Sequence, residues 1–343
     1  MNNKVLIAIT LFLTACNGIS QMPEGGITKY ADHLYLDDSQ AVLENPWKEG
    51  SILNSYSLEK TYSHVIVMPN SIARLMVELD LQECIAGVCE SEYIMDSTIC
   101  AMVADGRIAD CGNSMYPNIE KIMALKPDAI LVNPFEETGY GQLEKMGIPL
   151  IECADYMETS PLGRAEWMRF YGRLFGVAGK ADILFNSIAE QYLSLKETVA
   201  RTSDRPKVML DTKSGSAWYV AGGTSTISRM ISDAGANYAF NDNDRSGSAP
   251  LSFETVFEKA QDSDIWLLKN STASELTYEL LESDFRSYSE FKAFKERKIW
   301  VCDVYKVPYF EMTSFHPELL LGEFISIFHP EMSFERQFYH EMN

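Results

Sequence analysis

The sequence predicts an α/β protein of two lobes, each built on a parallel sheet, joined by a long helix and leaving a ligand cleft between them. Three observations carry that reading. From residue 64 onward, short apolar runs alternate with amphipathic segments at the spacing of βα units. Residues 162–201 then read as one long helical stretch. After it, the order of features in the first half recurs. A chain of 343 residues, 46% of them apolar, is long enough to bury two cores.

In chain order, "MNNKVLIAITLFLTACNG" has Lys4, an apolar run over residues 5–13, and then Leu13-Thr14-Ala15-Cys16. The run is too short to span a bilayer and ends at small residues, as a secretory signal does. Leu-x-Ala-Cys resembles the lipobox of bacterial lipoproteins, so Cys16 is expected to become the lipidated mature N-terminus, and acyl chains on it to suffice for anchoring. The expected divisions are 1–15 as signal peptide, 16–62 as lipidated tether and extended segment, 63–160 as the first lobe, 161–203 as the linking helix and 204–343 as the second lobe. No later segment is apolar for long enough to cross a membrane.

In the first lobe, residues 64–68 form a buried-strand run, Pro69-Asn70-Ser71 a turn with Ser71 as helix cap, and 72–79 a helix. The strands "CIAGVC", "IADCG", "DAILVNPF" and "IPLIECAD" follow, with a helix opening near Pro117 that carries Glu120 in its first turn. An acid there complements the helix dipole. In the linking stretch Gly172, Gly176 and Gly179 mark a break, and Ile183, Leu184, Ile188, Tyr192 and Leu195 fall at helical spacing. The second lobe contributes "KVMLDT", "AWYVAGG", a helix from Ser225, "SFETVFEKA", "DIWLLK", "KIWVCDV" and a closing helix over residues 317–328. "SIARLMVELD" echoes "TISRMISDAG", and "NIEKIMALKPDAILV" echoes "SFETVFEKAQDSDIWLL", setting Glu120 against Glu254. Two similar lobes across a helix imply a cleft, where small ligands prefer to bind.

Composition excludes some functions. Asp and Glu number 49 against 29 Lys and Arg, a net charge of −20, and no basic segment exists to neutralise phosphates, so nucleic acid is not a partner. Cys84, Cys89, Cys100 and Cys111 crowd together and, with Cys153 and Cys302, leave local disulfides possible in an exported chain, with no pairing derivable. Gly-x-Ser-x-Gly, His-Glu-x-x-His, a Walker loop and Gly-x-Gly-x-x-Gly are all missing; "VAGGTST" lacks the Gly-Lys-Ser/Thr ending of a phosphate loop. An enzyme is not expected.

"PNIEKIMALKPDAILV", "LEKMGIPLIE", "GRLFGVAGKA", "WYVAGGTSTISRMISDAGANYAF" and "PLSFETV", in that order, resemble the solute-binding proteins of ABC importers for iron-siderophores, haem and cobalamin. The resemblance runs from about residue 64 to the C-terminus. It implies two Rossmann-like lobes joined by a backbone helix, little hinge motion, and a monomer on the periplasmic face of a bacterial membrane. It also implies a permease dimer with ATPase subunits as partner, docked through one surface glutamate per lobe; the matching residues are Glu120 and Glu254, the latter following Ser252 as N-cap. The family's pocket loops point to Asn70, Ser71, Tyr93, Ser114 and Tyr116 on the first lobe, and to Trp218, Tyr219, Tyr305, Tyr309 and Phe310 on the second, with Arg245 and Lys213 available to an anionic ligand. None of the five histidines falls on these loops, which disfavours axial ligation of haem and a bare transition metal. A ferric siderophore or cobalamin, which brings its metal already chelated, needs no protein ligand and no cofactor. The competing readings are a binding protein for a free transition metal and a lipid-anchored adhesion or structural protein.

Overall fold

A computed structural model describes residues 22–23, 25–136 and 139–343; Cys16 and the expected signal segment lie outside them. The first lobe is built on a five-stranded sheet in the spatial order Leu150–Glu152, Ala129–Val132, Val65–Val67, Ile85–Val88, Ala109–Asp110, with every pairing parallel. Its central strands are fully buried apolar runs, as a sheet covered on both faces requires. The second lobe repeats the plan with Asn237–Tyr238, Lys207–Leu210, Ile265–Asn270 and Ile299–Asp303 in parallel. One departure from an all-parallel sheet is the edge strand Tyr339–Glu341, which pairs antiparallel to Ile299–Asp303.

The linking stretch is not one helix. Pro161–Glu166, Met168–Leu174 and Ala178–Val199 succeed one another, and the break before the last falls at Gly176, whose φ of +74° is the left-handed conformation open to glycine. Ala178–Val199 packs beside Pro317–Phe328, whose sequence PELLLGEFISIF is apolar nearly all round and accordingly buried nearly all round. Glu323 in that helix is fully buried, and its carboxylate accepts the backbone N–H groups of Gln337, Phe338 and Tyr339. Residues 30–62, expected as an extended segment, hold an antiparallel sheet of Leu34–Leu36, Gln40–Glu44 and Ile52–Ser57. This segment is tied down by Glu166, which accepts from the N–H groups of Lys29, Tyr30 and Ala31, and by Glu158, which accepts from those of Asp32 and His33.

Two local expectations change. The helix Asn70–Glu78 starts two residues early, with Pro69 at its N-cap position and no side-chain cap, so Ser71 lies inside the first turn. All six described cysteines are free. Among the described residues no helix is long and apolar enough to cross a membrane.

Candidate functional site

In each sheet the strand order reverses beside the first strand of its lobe. Lys207–Leu210 has Asn237–Tyr238 on one side and Ile265–Asn270 on the other; Val65–Val67 likewise separates Ala129–Val132 from Ile85–Val88. Loops leaving the carboxyl ends of such strands diverge and open a crevice, where open α/β sheets bind ligands. Here both crevices face each other. Met68, Asn70 and Asn133 from the first lobe and Asp211, Lys269 and Ser271 from the second line one cavity of about 720 Å³.

Of the residues expected at the site, Asn70, Ser71, Tyr93, Ser114, Tyr219, Tyr305, Tyr309 and Phe310 line this cavity. Tyr93 and Tyr305 approach from opposite lobes to a ring-centroid distance of 6.0 Å. Of the lining pair Tyr309 and Phe310, the first is buried and the second exposed. Four expected residues stand elsewhere. Trp218 is fully buried, stacked on Trp266 at 6.0 Å with its Nε1–H donated to the Leu210 carbonyl. Its strand, Ala217–Val220, alternates faces, so if Tyr219 reaches the cleft Trp218 must point into the core. Tyr116 is 87% exposed and belongs to a second cavity on the first lobe. Arg245 is exposed and not among the cleft-lining residues; its carbonyl instead accepts the Thr224 N–H, closing the loop over Gly222. Lys213 sits over the Phe285 ring at 4.7 Å and is likewise outside the lining.

The charged groups of the cleft come from positions that local patterns do not flag. Arg164 Nε lies 3.3 Å from Asp155 Oδ2, and Tyr171 donates its hydroxyl to Asp155 Oδ1 at 2.9 Å. Burial raises the Asp155 carboxyl, an effect opposed by Arg164. On the facing lobe, Lys269 Nζ meets both oxygens of Asp211 at 2.8 Å. Burial works against that ammonium, but the Asp211 carboxylate outweighs it and holds the Lys269 pKa above its usual value. Asp211 has a φ of +53°, a strained conformation for a residue with a Cβ, held by Trp266 Nε1–H on its carbonyl and by its own N–H on Leu267. Glu311 is buried in the lining, with Oε1 accepting the Met95 N–H across the lobes at 2.7 Å and Oε2 unpartnered. Burial raises its carboxyl pKa. Glu90 Oε1 accepts from the Ser114 hydroxyl at 2.9 Å. The cleft thus carries four carboxyl groups and two cations, each cation already paired to a carboxylate. Among the described residues there is no group of three or more His, Cys, Asp or Glu placed to hold a metal ion.

Glu120 and Glu254 both lie exposed in helix first turns, on Ile119–Leu125 and Phe253–Ala260. Asn118 caps the first through the Lys121 N–H and Ser252 the second through the Thr255 N–H. Backbone and Ser252 hydrogen bonds lower the Glu254 carboxyl pKa. Sequence reasoning missed Arg164, Asp155, Lys269 and Asp211. The local signal that Asp155, Asp211 and Lys269 carried is their position at the carboxyl end of an apolar run.

Two lobes with a cleft at the switch points of both sheets define a solute-binding architecture. The chain belongs to the periplasmic binding protein family, which matches it over residues 65–305. It is 29% identical over 238 residues to an uncharacterized lipoprotein of Methanocaldococcus jannaschii, a match covering 67% of this chain and 54% of that relative, so the chain spans about half the relative's length. It also resembles the structure of an ABC-type Fe3+-hydroxamate transport system from Saccharomonospora viridis, with a TM-score of 0.63 at 18% identity over 84% of this chain and 98% of that one. A periplasmic haem-binding protein from Pseudomonas aeruginosa gives a TM-score of 0.64 at 15% identity over 82% and 98%. At such identities the structures establish a shared fold. The family is one of solute-binding proteins, not enzymes.

Proposed function

We propose that this protein is a lipid-anchored solute-binding protein of an ABC importer that holds a metal chelate, an iron-siderophore or cobalamin rather than haem, between its lobes. Cys16 carries the anchor, and Glu120 and Glu254 present the loaded protein to a permease dimer with its ATPase subunits. The observation that carries this reading is the cleft itself. A cavity of about 720 Å³ is within the range that holds a bulky small molecule, and its aromatic faces set among charged and polar groups suit an amphipathic one. A chelate is favoured over a free metal because Asp155 and Asp211, two acids that a bare cation would recruit, are already engaged by Arg164 and Lys269. Binding requires no chemistry from the protein; the partner ATPase supplies the energy of transport.

The test is calorimetric titration of the detergent-solubilised full chain with a ferric trihydroxamate, cyanocobalamin and haem. Saturable binding of one of the first two supports the reading. Binding of none of the three, or of haem alone, overturns the ligand class.

A further inference from the structure

A second cavity, of about 420 Å³, opens beside the cleft on the first lobe. Its walls are Met115, Tyr116, Ile119, Val132, Phe135 and Leu143, and none of the described residues lining it is charged. That contrasts with the cleft next door, whose lining includes six charged side chains. The two spaces are adjacent and share a rim, since Met68, Ser114 and Asn133 line both. Phe135, at the chamber wall, faces Tyr156 of the cleft at a ring-centroid distance of 6.4 Å, and the Tyr156 hydroxyl is donated to the Pro134 carbonyl, which ties the two walls together.

Several of these apolar side chains are left in water: Met115 is 57% exposed, Tyr116 87% and Phe135 46%. Apolar surface gathered around a concavity, rather than scattered singly, marks a place that another apolar group covers. The shared rim says which group. A ligand seated in the charged cleft and extending past Ser114 and Asn133 would lay its far end against uncharged walls. We infer that the chamber is a subsite for an aryl or acyl arm of the cleft ligand, so that the solute is an amphipathic chelate with a polar, metal-bearing head and an apolar appendage. This rests on the cleft's reading as a chelate site and narrows it to chelates carrying such an arm.

The experiment compares two probes on the detergent-solubilised full chain: a ferric trihydroxamate ending in a free amine, and the same chelate with that amine naphthoylated. Calorimetry is run on the wild type, on Tyr116→Ala with Phe135→Ala, which strips the exposed walls, and on Gln142→Trp, which fills the space. These positions are exposed, so the fold tolerates the changes. The naphthoylated chelate is expected to bind the wild type roughly tenfold more tightly than its parent, the gain from covering a few tens of square ångströms of apolar surface. In both variants that advantage should fall below about threefold while the parent's affinity holds. Equal affinities in the wild type, or an advantage unchanged in the variants, overturn the subsite and leave the cleft reading intact. If neither chelate binds, the trihydroxamate form of the cleft reading is what fails, and cyanocobalamin tests the remaining form. Fluorescence of N-phenyl-1-naphthylamine then decides the chamber alone: enhancement abolished by Gln142→Trp supports an apolar subsite, and no enhancement with wild type overturns it.

Discussion

His316 ties the lobes together in a way that makes stability depend on alkaline pH. Its Nε2 lies 2.7 Å from Glu78, at the end of the first lobe's leading helix, and its Nδ1 lies 2.8 Å from Glu318 in the buried C-terminal helix. Arg74 steadies Glu78 at 3.1 Å and reaches Asp96 at 3.0 Å. Burial opposes the charged imidazolium, but hydrogen bonds to the two carboxylates overcome it and raise the pKa from 6.5 to about 9. The folded state therefore holds the proton more tightly than the unfolded chain. That stabilisation is fully present below pH 6.5 and is lost as pH rises through about 9. With the side chain only 16% exposed, it amounts to something on the order of 3 kcal/mol at full effect. The assay is urea unfolding of the wild type and His316→Gln on either side of that window. Their difference in unfolding free energy should shrink by on the order of 3 kcal/mol from the acidic to the alkaline side. A difference that stays constant with pH would refute the charged bridge between the lobes.

The two neighbours of one strand should separate stability from binding. Trp218→Ala, emptying a fully buried site, is expected to cost about 3–5 kcal/mol in denaturant unfolding. Tyr219→Ala, 54% exposed in the cleft wall, should leave stability within about 1 kcal/mol and weaken ligand affinity in calorimetry. Gly222→Ala drives a Cβ into the Arg245 carbonyl oxygen, so the loop must move; a lowered unfolding midpoint is expected, and an unchanged one would show that the loop has slack. Charge reversal at Glu120 and Glu254 together should abolish uptake into cells while leaving solution affinity intact, because both side chains are exposed and neither lines the cleft.

What could be read in advance follows from the range of the interactions involved. Val65–Val67, Ala129–Val132 and residues 265–268 are buried apolar runs, and Pro317–Phe328 is a largely apolar helix opened by proline, so each announces itself locally. Ser252 likewise declares its cap by position alone. Trp218 and Tyr219 looked equivalent as a pair of aromatics, yet the period of a strand allows only one of them to face the ligand. The pairing of Lys269 with Asp211, 58 residues apart, arises because two strands of one sheet end side by side, a fact of strand order that no local pattern contains. Glu311 presents the same difficulty, since its partner Met95 lies 216 residues away on the other lobe. Glu166 and Glu158 show it again: as lone acids, one in the helical stretch and one just before it, they gave no sign that they fasten residues 29–33.

The central claim is that the inter-lobe cleft holds a metal chelate. The most direct measurement is an equilibrium titration of the full chain with a ferric trihydroxamate and with cyanocobalamin, run beside Tyr219→Ala. The account expects one chelate to bind the wild type saturably, at one molecule per chain, and the variant to bind it more weakly with the fold unchanged. Failure of both chelates to bind, or equal binding by the variant, would contradict it.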